Sequence, residues 1–162
     1  MSTDMNIKVN DPQNNMLNTT TKFVTVKIGN QSFAISAMVV EDVLLPQKIT
    51  TIPMAAPYII GLLNLRGRVV TAIDLRVRMG MEVSENRMNN KSIVVEFEHN
   101  LYSFVVDEVT GVYDIPLAEV EHNPDNLSEE WKEYCTGIYK LEDELMVILN
   151  VNGILDQKKE AE

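Results

Sequence analysis

From Ser92 to Glu98 the chain alternates without a break, with Ile93, Val95 and Phe97 on one side and Val94, Glu96 and Glu98 on the other. A period of two sends successive side chains to opposite faces, which is the signature of a β-strand and not of a helix. Lys22 to Ile28 behaves alike, with Val24, Val26 and Ile28 set against Thr25 and Lys27. Each run meets a turn and returns: Gly29-Asn30-Gln31 leads into Ser32–Ile35, and His99-Asn100 leads into Tyr102–Val106. Further extended segments are predicted at 49–52, 69–75 and 109–115, with a last hairpin in which 138–141 and 145–151 flank Glu142-Asp143-Glu144. About eight to ten short strands with little helix indicate an all-β barrel or sandwich. The two halves are similarly rich in hairpins, so two small barrels are expected. Helix is confined to short pieces: one turn over 37–40 capped by Ser36, residues 129–134 capped by Ser128, and the end of the chain from Asn152. Residues 1–20, rich in Asn and Thr, are expected to be a flexible tail, with a second tail over 156–162.

Composition narrows the function more than the fold. A chain of 162 residues that is 45% hydrophobic has a core to bury. One Cys excludes a disulfide scaffold and a thiolate-rich metal site. No apolar run reaches the length of a membrane span, and residues 1–17 lack a signal-peptide core, which points to the reducing cytosol. The net charge of −10 opposes sequence-independent binding of nucleic acid, which needs phosphate-neutralising Lys and Arg. That charge is uneven. Residues 1–99 carry 10 Lys and Arg against 9 Asp and Glu, whereas residues 100–162 carry 4 against 15. Arg66, Arg68, Arg76 and Arg78 cluster with only Asp74 between them; such asymmetry fits two different partner surfaces, and fits two ordinary solvated faces more readily.

The usual catalytic patterns are missing. His99 and His122 have no ligand-like spacing to Cys135, so no metal site is expected. Cys135 reads as a small buried thiol and not as a nucleophile paired with His122. No phosphate-cradling glycine loop, GxSxG or HExxH occurs. The acidic groups at 129–130 and 142–144 fall at a helix start and a turn tip, where solvated carboxylates are ordinary. The residues ask for neither an enzyme nor a cofactor.

The segment Leu63-Asn64-Leu65-Arg66-Gly67-Arg68-Val69-Val70, followed by Ile73-Asp74-Leu75-Arg76, resembles the signature of the chemotaxis coupling proteins, the CheW family. Other landmarks follow in order: Phe33-Ala34-Ile35-Ser36 with Val40-Glu41-Asp42-Val43, then Ile52-Pro53 and Pro57-Tyr58-Ile59-Ile60-Gly61. Phe104 to Val109, Gly137, and Leu145 to Asn150 complete the set, so the resemblance covers about residues 21–155 as one domain. Asp42 stands where the family usually has Glu, Thr71-Ala72 where it has a Pro, and Ser103 where it has a Gly.

The resemblance implies two small SH3-like five-stranded β-barrels sharing a hydrophobic core. It also implies a non-enzymatic adaptor at cytoplasmic, membrane-peripheral receptor arrays. One face would dock on the regulatory domain of the histidine kinase CheA, and another on the cytoplasmic tips of chemoreceptors. Carried over residue by residue, Val40, Val109 and Val112 line the receptor groove, and Asp42, Gly61, Asn64, Arg66 and Gly67 belong to the docking surface. Arg66 is expected to pair with Asp42; the shorter acid predicts a longer or water-bridged contact. Competing readings are a scaffold for a pathway controlling pili or gene expression and a small β-barrel nucleic-acid binder. The latter lacks aromatics interleaved with its arginines. A hydrolase built on paired carboxylates has no spacing to support it.

Overall fold

The computed structural model describes residues 19–83 and 90–156. Strands β1 (Thr20–Ile28) and β2 (Gln31–Ser36) form the first hairpin, followed by β3 (Val40–Leu44) and the hairpin β4 (Ile59–Leu65) and β5 (Arg68–Asp74). The second half repeats the pattern: hairpin β6 (Ser92–Phe97) and β7 (Asn100–Val105), strand β8 (Glu108–Pro116), then hairpin β9 (Cys135–Leu141) and β10 (Glu144–Leu149). Short helices are α1 (Leu75–Arg78), α2 (Glu129–Tyr134) and α3 (Val151–Leu155).

The strands assemble into two five-stranded sheets, in the orders β8-β1-β2-β10-β9 and β3-β6-β7-β5-β4. Each half of the chain therefore gives its first hairpin to one sheet and its remaining three strands to the other. Both sheets join their hairpins through a parallel pair, β2 with β10 and β5 with β7. The registers match as well. Val40 and Val109 occupy the same position beside a bulge, opposite Val95 and Val26 respectively. The interval from Tyr58 to Tyr134 equals that from Gly61 to Gly137 and from Asp74 to Asn150, and the β4–β5 and β9–β10 hairpins share one register and one bulge position. The fold is a duplicated unit whose copies have exchanged strands.

Beyond each outer strand the chain bends back to the opposite edge. Thr50 and Leu62 exchange two backbone hydrogen bonds of 2.8 Å, and Glu121 and Ile138 exchange bonds of 2.8 and 2.9 Å. One bridge thus joins the edges of each sheet into a barrel-like curl. The strand faces divide the apolar residues accordingly. Val24, Val26, Ile28, Phe33, Ile35, Ile93, Val95 and Phe104 face a core shared by both sheets. Alternate positions fill each sheet's own interior: Val70, Ala72, Val94 and Leu101 in one, Phe23, Ala34, Ile115 and Met146 in the other. All of these side chains are buried, so strands whose neighbouring positions point opposite ways find apolar surroundings on both faces.

Several local expectations need correction. The helical turn at 37–40 is a tight turn, with Met38 N–H donating to Ser36 Oγ at 3.3 Å, and Val40 already belongs to β3. Strand β5 ends at Asp74, whose carboxylate accepts from Arg76 N–H at 3.0 Å and caps α1, a helix not foreseen. The final strand stops at Leu149, because α3 begins at Val151. Strand β4 was not foreseen either. The turn between β6 and β7 is Glu98-His99, one residue earlier than expected. Ser128 caps α2 as expected, accepting from Trp131 N–H. The expected tails lie outside the described residues except at 19, 20 and 156, and Thr20 already starts β1.

Candidate docking site

The β4–β5 turn places two residues, Arg66 and Gly67, between the paired Leu65 and Arg68. Both have positive φ, 51° and 85°, as in the hairpin turns whose twist suits flanking strands. Arg66 holds this left-handed conformation without being glycine, and Asn64 Oδ1 braces it by accepting from Gly67 N–H at 2.8 Å. Asn64 and Gly67 thus shape the tip that presents Arg66.

The Arg66 guanidinium reaches across to β3. Its Nη2 lies 2.9 Å from Asp42 Oδ2, and the Arg66 side chain is 78% exposed. The shorter acid does not lengthen the contact, because the left-handed turn brings the arginine over the strand. Asp42 is itself held, its Oδ1 accepting from Val43 N–H at 2.8 Å. One face of the guanidinium is oriented by Asp42 while most of it stays in water, a geometry suited to a second carboxylate or to backbone carbonyls on a partner.

Gly61 is buried and pairs with Ala72, well along β4 from the turn. A Cβ there would stand 2.2 Å from Thr50 O, so its hydrogen is what admits the bridge joining the edges of this sheet. Gly137 serves the other bridge in the same way, since a Cβ at that position would stand 2.7 Å from Glu121 O. The sequence pointed to Gly61 through the docking motif, whereas its surroundings assign it to the barrel.

The three valines divide. Val40 and Val109 are half-buried and pack against the shared core. Val112 is 60% exposed, and Val43, its counterpart in the other sheet, is 43% exposed. Val43 was not singled out from sequence; only the register reveals its equivalence.

The arginine cluster also divides. Arg66 stands in the exposed turn and Arg68 just after it, but Arg76 Nη2 is 2.5 Å from Asp107 Oδ2 with its side chain only 16% exposed. Arg78 lies over the rings of both Tyr58 and Tyr134, at 4.7 and 5.6 Å, and its Nε donates to Ile154 O. Those tyrosines are equivalent residues of the two repeats, so Arg78 ties the halves together. A single basic surface over Arg66–Arg78 does not form. At the turn equivalent to Arg66-Gly67 stands the acidic Glu142-Asp143, followed by Glu144.

Among the described residues no group of three or more His, Cys, Asp or Glu is placed to hold a metal ion, and no helix is long and apolar enough to cross a membrane.

Comparison with known proteins agrees with this arrangement. A family model described as the CheW-like domain matches residues 22–159. The chemotaxis protein CheW of Bacillus subtilis is 29% identical over 137 residues, covering 85% of this chain and 88% of that protein. The protein PilI of Pseudomonas aeruginosa is 26% identical over 121 residues, covering 75% of this chain and 68% of that protein. The crystal structure of the scaffolding protein TtCheW from Thermoanaerobacter tengcongensis superposes with a TM-score of 0.77 at 25% identity, covering 85% of this chain and 94% of that one. With its fold matched and the family model spanning residues 22–159, the chain belongs to the CheW-like domain family, a family of scaffolds and adaptors.

Proposed function

We propose that this protein couples chemoreceptors to the histidine kinase CheA, holding the kinase regulatory domain and the receptor tips at separate surfaces on the cytoplasmic side of a receptor array. The observation that carries the reading is the Arg66 tip: an exposed guanidinium, oriented by Asp42 on a turn braced by Asn64 and Gly67. Holding a charged donor in place without covering it does little for stability, since exposed ion pairs contribute about 0–1 kcal/mol. It does lower the entropy lost when a partner binds.

The valines support a second contact. Val112 is exposed on the outer strand β8, where an apolar side chain is available to an amphipathic receptor helix. Val40 and Val109 would take part through the rim of the shared core. The acidic turn at Glu142-Asp143-Glu144 and the basic turn at Arg66-Gly67-Arg68 supply the two differently charged surfaces, so Arg68, and not the internally paired Arg76, is where charge reversal reports on docking. Modest affinity at each surface suffices when both partners are held in one array.

The test is co-sedimentation with a CheA regulatory domain and with receptor-tip fragments, singly and together. Binding to each alone, and more tightly in the ternary mixture, is expected; binding to neither would overturn the reading. The likeness to PilI raises a second reading, in which the receptors belong to a non-flagellar pathway. Preference for the tip of a pilus-linked receptor over that of a flagellar one would distinguish it.

A further inference from the structure

A cavity of about 360 Å³ opens beside α2, away from the Arg66 tip and the valines. Its wall is mostly apolar: Met81, Leu127, Trp131, Ile138 and Val147. Trp131 is fixed by stacking on Phe33 of the shared core, with ring centroids 6.4 Å apart and planes 20° from parallel. Cys135 adds a buried thiol whose pKa burial pushes up to about 11, so it is uncharged near neutral pH. Among the described residues no charged side chain lines the space.

Two amides complete the lining, Gln31 and Asn123. Gln31 Nε2 is engaged, donating to the carbonyls of Ser32 and Leu145 at 2.9 Å. Asn123 Nδ2 donates to Cys135 O at 2.8 Å, which fixes the orientation of that amide. The remaining oxygen, Asn123 Oδ1, is buried and has no hydrogen-bond partner among the described residues. A buried acceptor without a donor is costly and calls for an explanation.

We propose that this cavity is a binding site for a small, uncharged, largely apolar molecule, such as a phenol, that carries one O–H or N–H donor for Asn123 Oδ1. The volume falls within the range of small-molecule pockets, and the balance of many apolar contacts with one orienting polar group is their usual makeup. The described wall carries no charge to offset the desolvation of an ion, so charged analogues should bind poorly.

Trp131 is the only tryptophan in the chain and lines the site, so its emission reports occupancy directly. The probes are p-cresol, toluene with the same ring and methyl group but no donor, and the 4-hydroxybenzoate anion. Saturable one-to-one binding of p-cresol is expected, roughly three- to tenfold tighter than toluene, as one hydrogen bond would supply. 4-Hydroxybenzoate should not bind. Asn123→Leu should bring p-cresol and toluene to equal affinity. Should that variant fail to fold, the wild-type Asn123 side-chain amide resonances decide the matter, since they must shift with p-cresol. No saturable binding, equal binding of p-cresol and toluene to the wild type, or an unmoved Asn123 amide would overturn the proposal.

Discussion

Arg66 and Ser103 show how differently two unusual residues bear on the molecule. Arg66 is exposed, and its pair with Asp42 is a surface contact. Arg66→Ala should therefore change unfolding free energy by less than about 1 kcal/mol. The same substitution should weaken kinase or receptor binding by about tenfold or more, the loss expected for an arginine at an interface hot spot. Denaturant titration beside a binding isotherm separates the effects, and unchanged affinity would remove Arg66 from the docking surface. Ser103 is 1% exposed, and its Oγ has no hydrogen-bond partner among the described residues. It lies between Ala72 and Val94 in the sheet, and its equivalent in the other sheet is Ala34. Ser103→Ala removes a buried hydroxyl without opening a void, so it should stabilise the protein by about 1 kcal/mol. A lower denaturation midpoint would show that the hydroxyl is satisfied in solution.

At the scale of elements, the two sheets depend on two glycines. Gly61 and Gly137 lie at equivalent points of β4 and β9, each where a bridging strand passes too close for a side chain. In both cases the opposing atom is a backbone carbonyl oxygen, which has no rotamer in which to escape. Gly61→Ala and Gly137→Ala should each cost more than about 2 kcal/mol, within the range for steric disruption of a core. Hydrogen exchange should then show Thr50 and Leu62, or Glu121 and Ile138, losing protection first. Equal protection across the sheet would mean that the bridge adjusts. The hairpins β1–β2 and β6–β7 were legible in sequence because alternation and turn residues are local signals. Strand β4 was not, since Ile59-Ile60-Gly61-Leu62-Leu63 shows no alternation. Ile60 and Leu63 point into one sheet's interior while Ile59 faces the shared core. Helix α1 is four residues long and cannot display a 3.6-residue period.

For the whole molecule, exchange of strands between the halves makes the domain indivisible. Residues 19–83 carry β3, β4 and β5 but lack the β6–β7 hairpin on which those strands assemble, and residues 90–156 have the converse lack. Each fragment alone should be unfolded by circular dichroism. Mixed, the fragments should co-elute and recover the β-sheet signal, because the shared core needs strands from both. Independent folding of either fragment would contradict the exchange as the source of cooperativity. The charge asymmetry also changes meaning here. The first hairpin of the chain joins the sheet built from its last strands, so the near-neutral and acidic parts of the sequence are mixed in space. What persists is opposite charge at two equivalent turns.

By itself the sequence determined what depends on near neighbours: the all-β class, most hairpins, the Ser128 cap and, through the Asn-Leu-Arg-Gly turn, the family. The tertiary structure decided what depends on distant ones. It paired β2 with β10 and β5 with β7, put Gly61 at a bridge and not at the Arg66 turn, and separated Arg66 from Arg76 and Arg78. A period of two states which side chains share a face. Which strand lies beside that face is settled only when the two sheets bury one core between them.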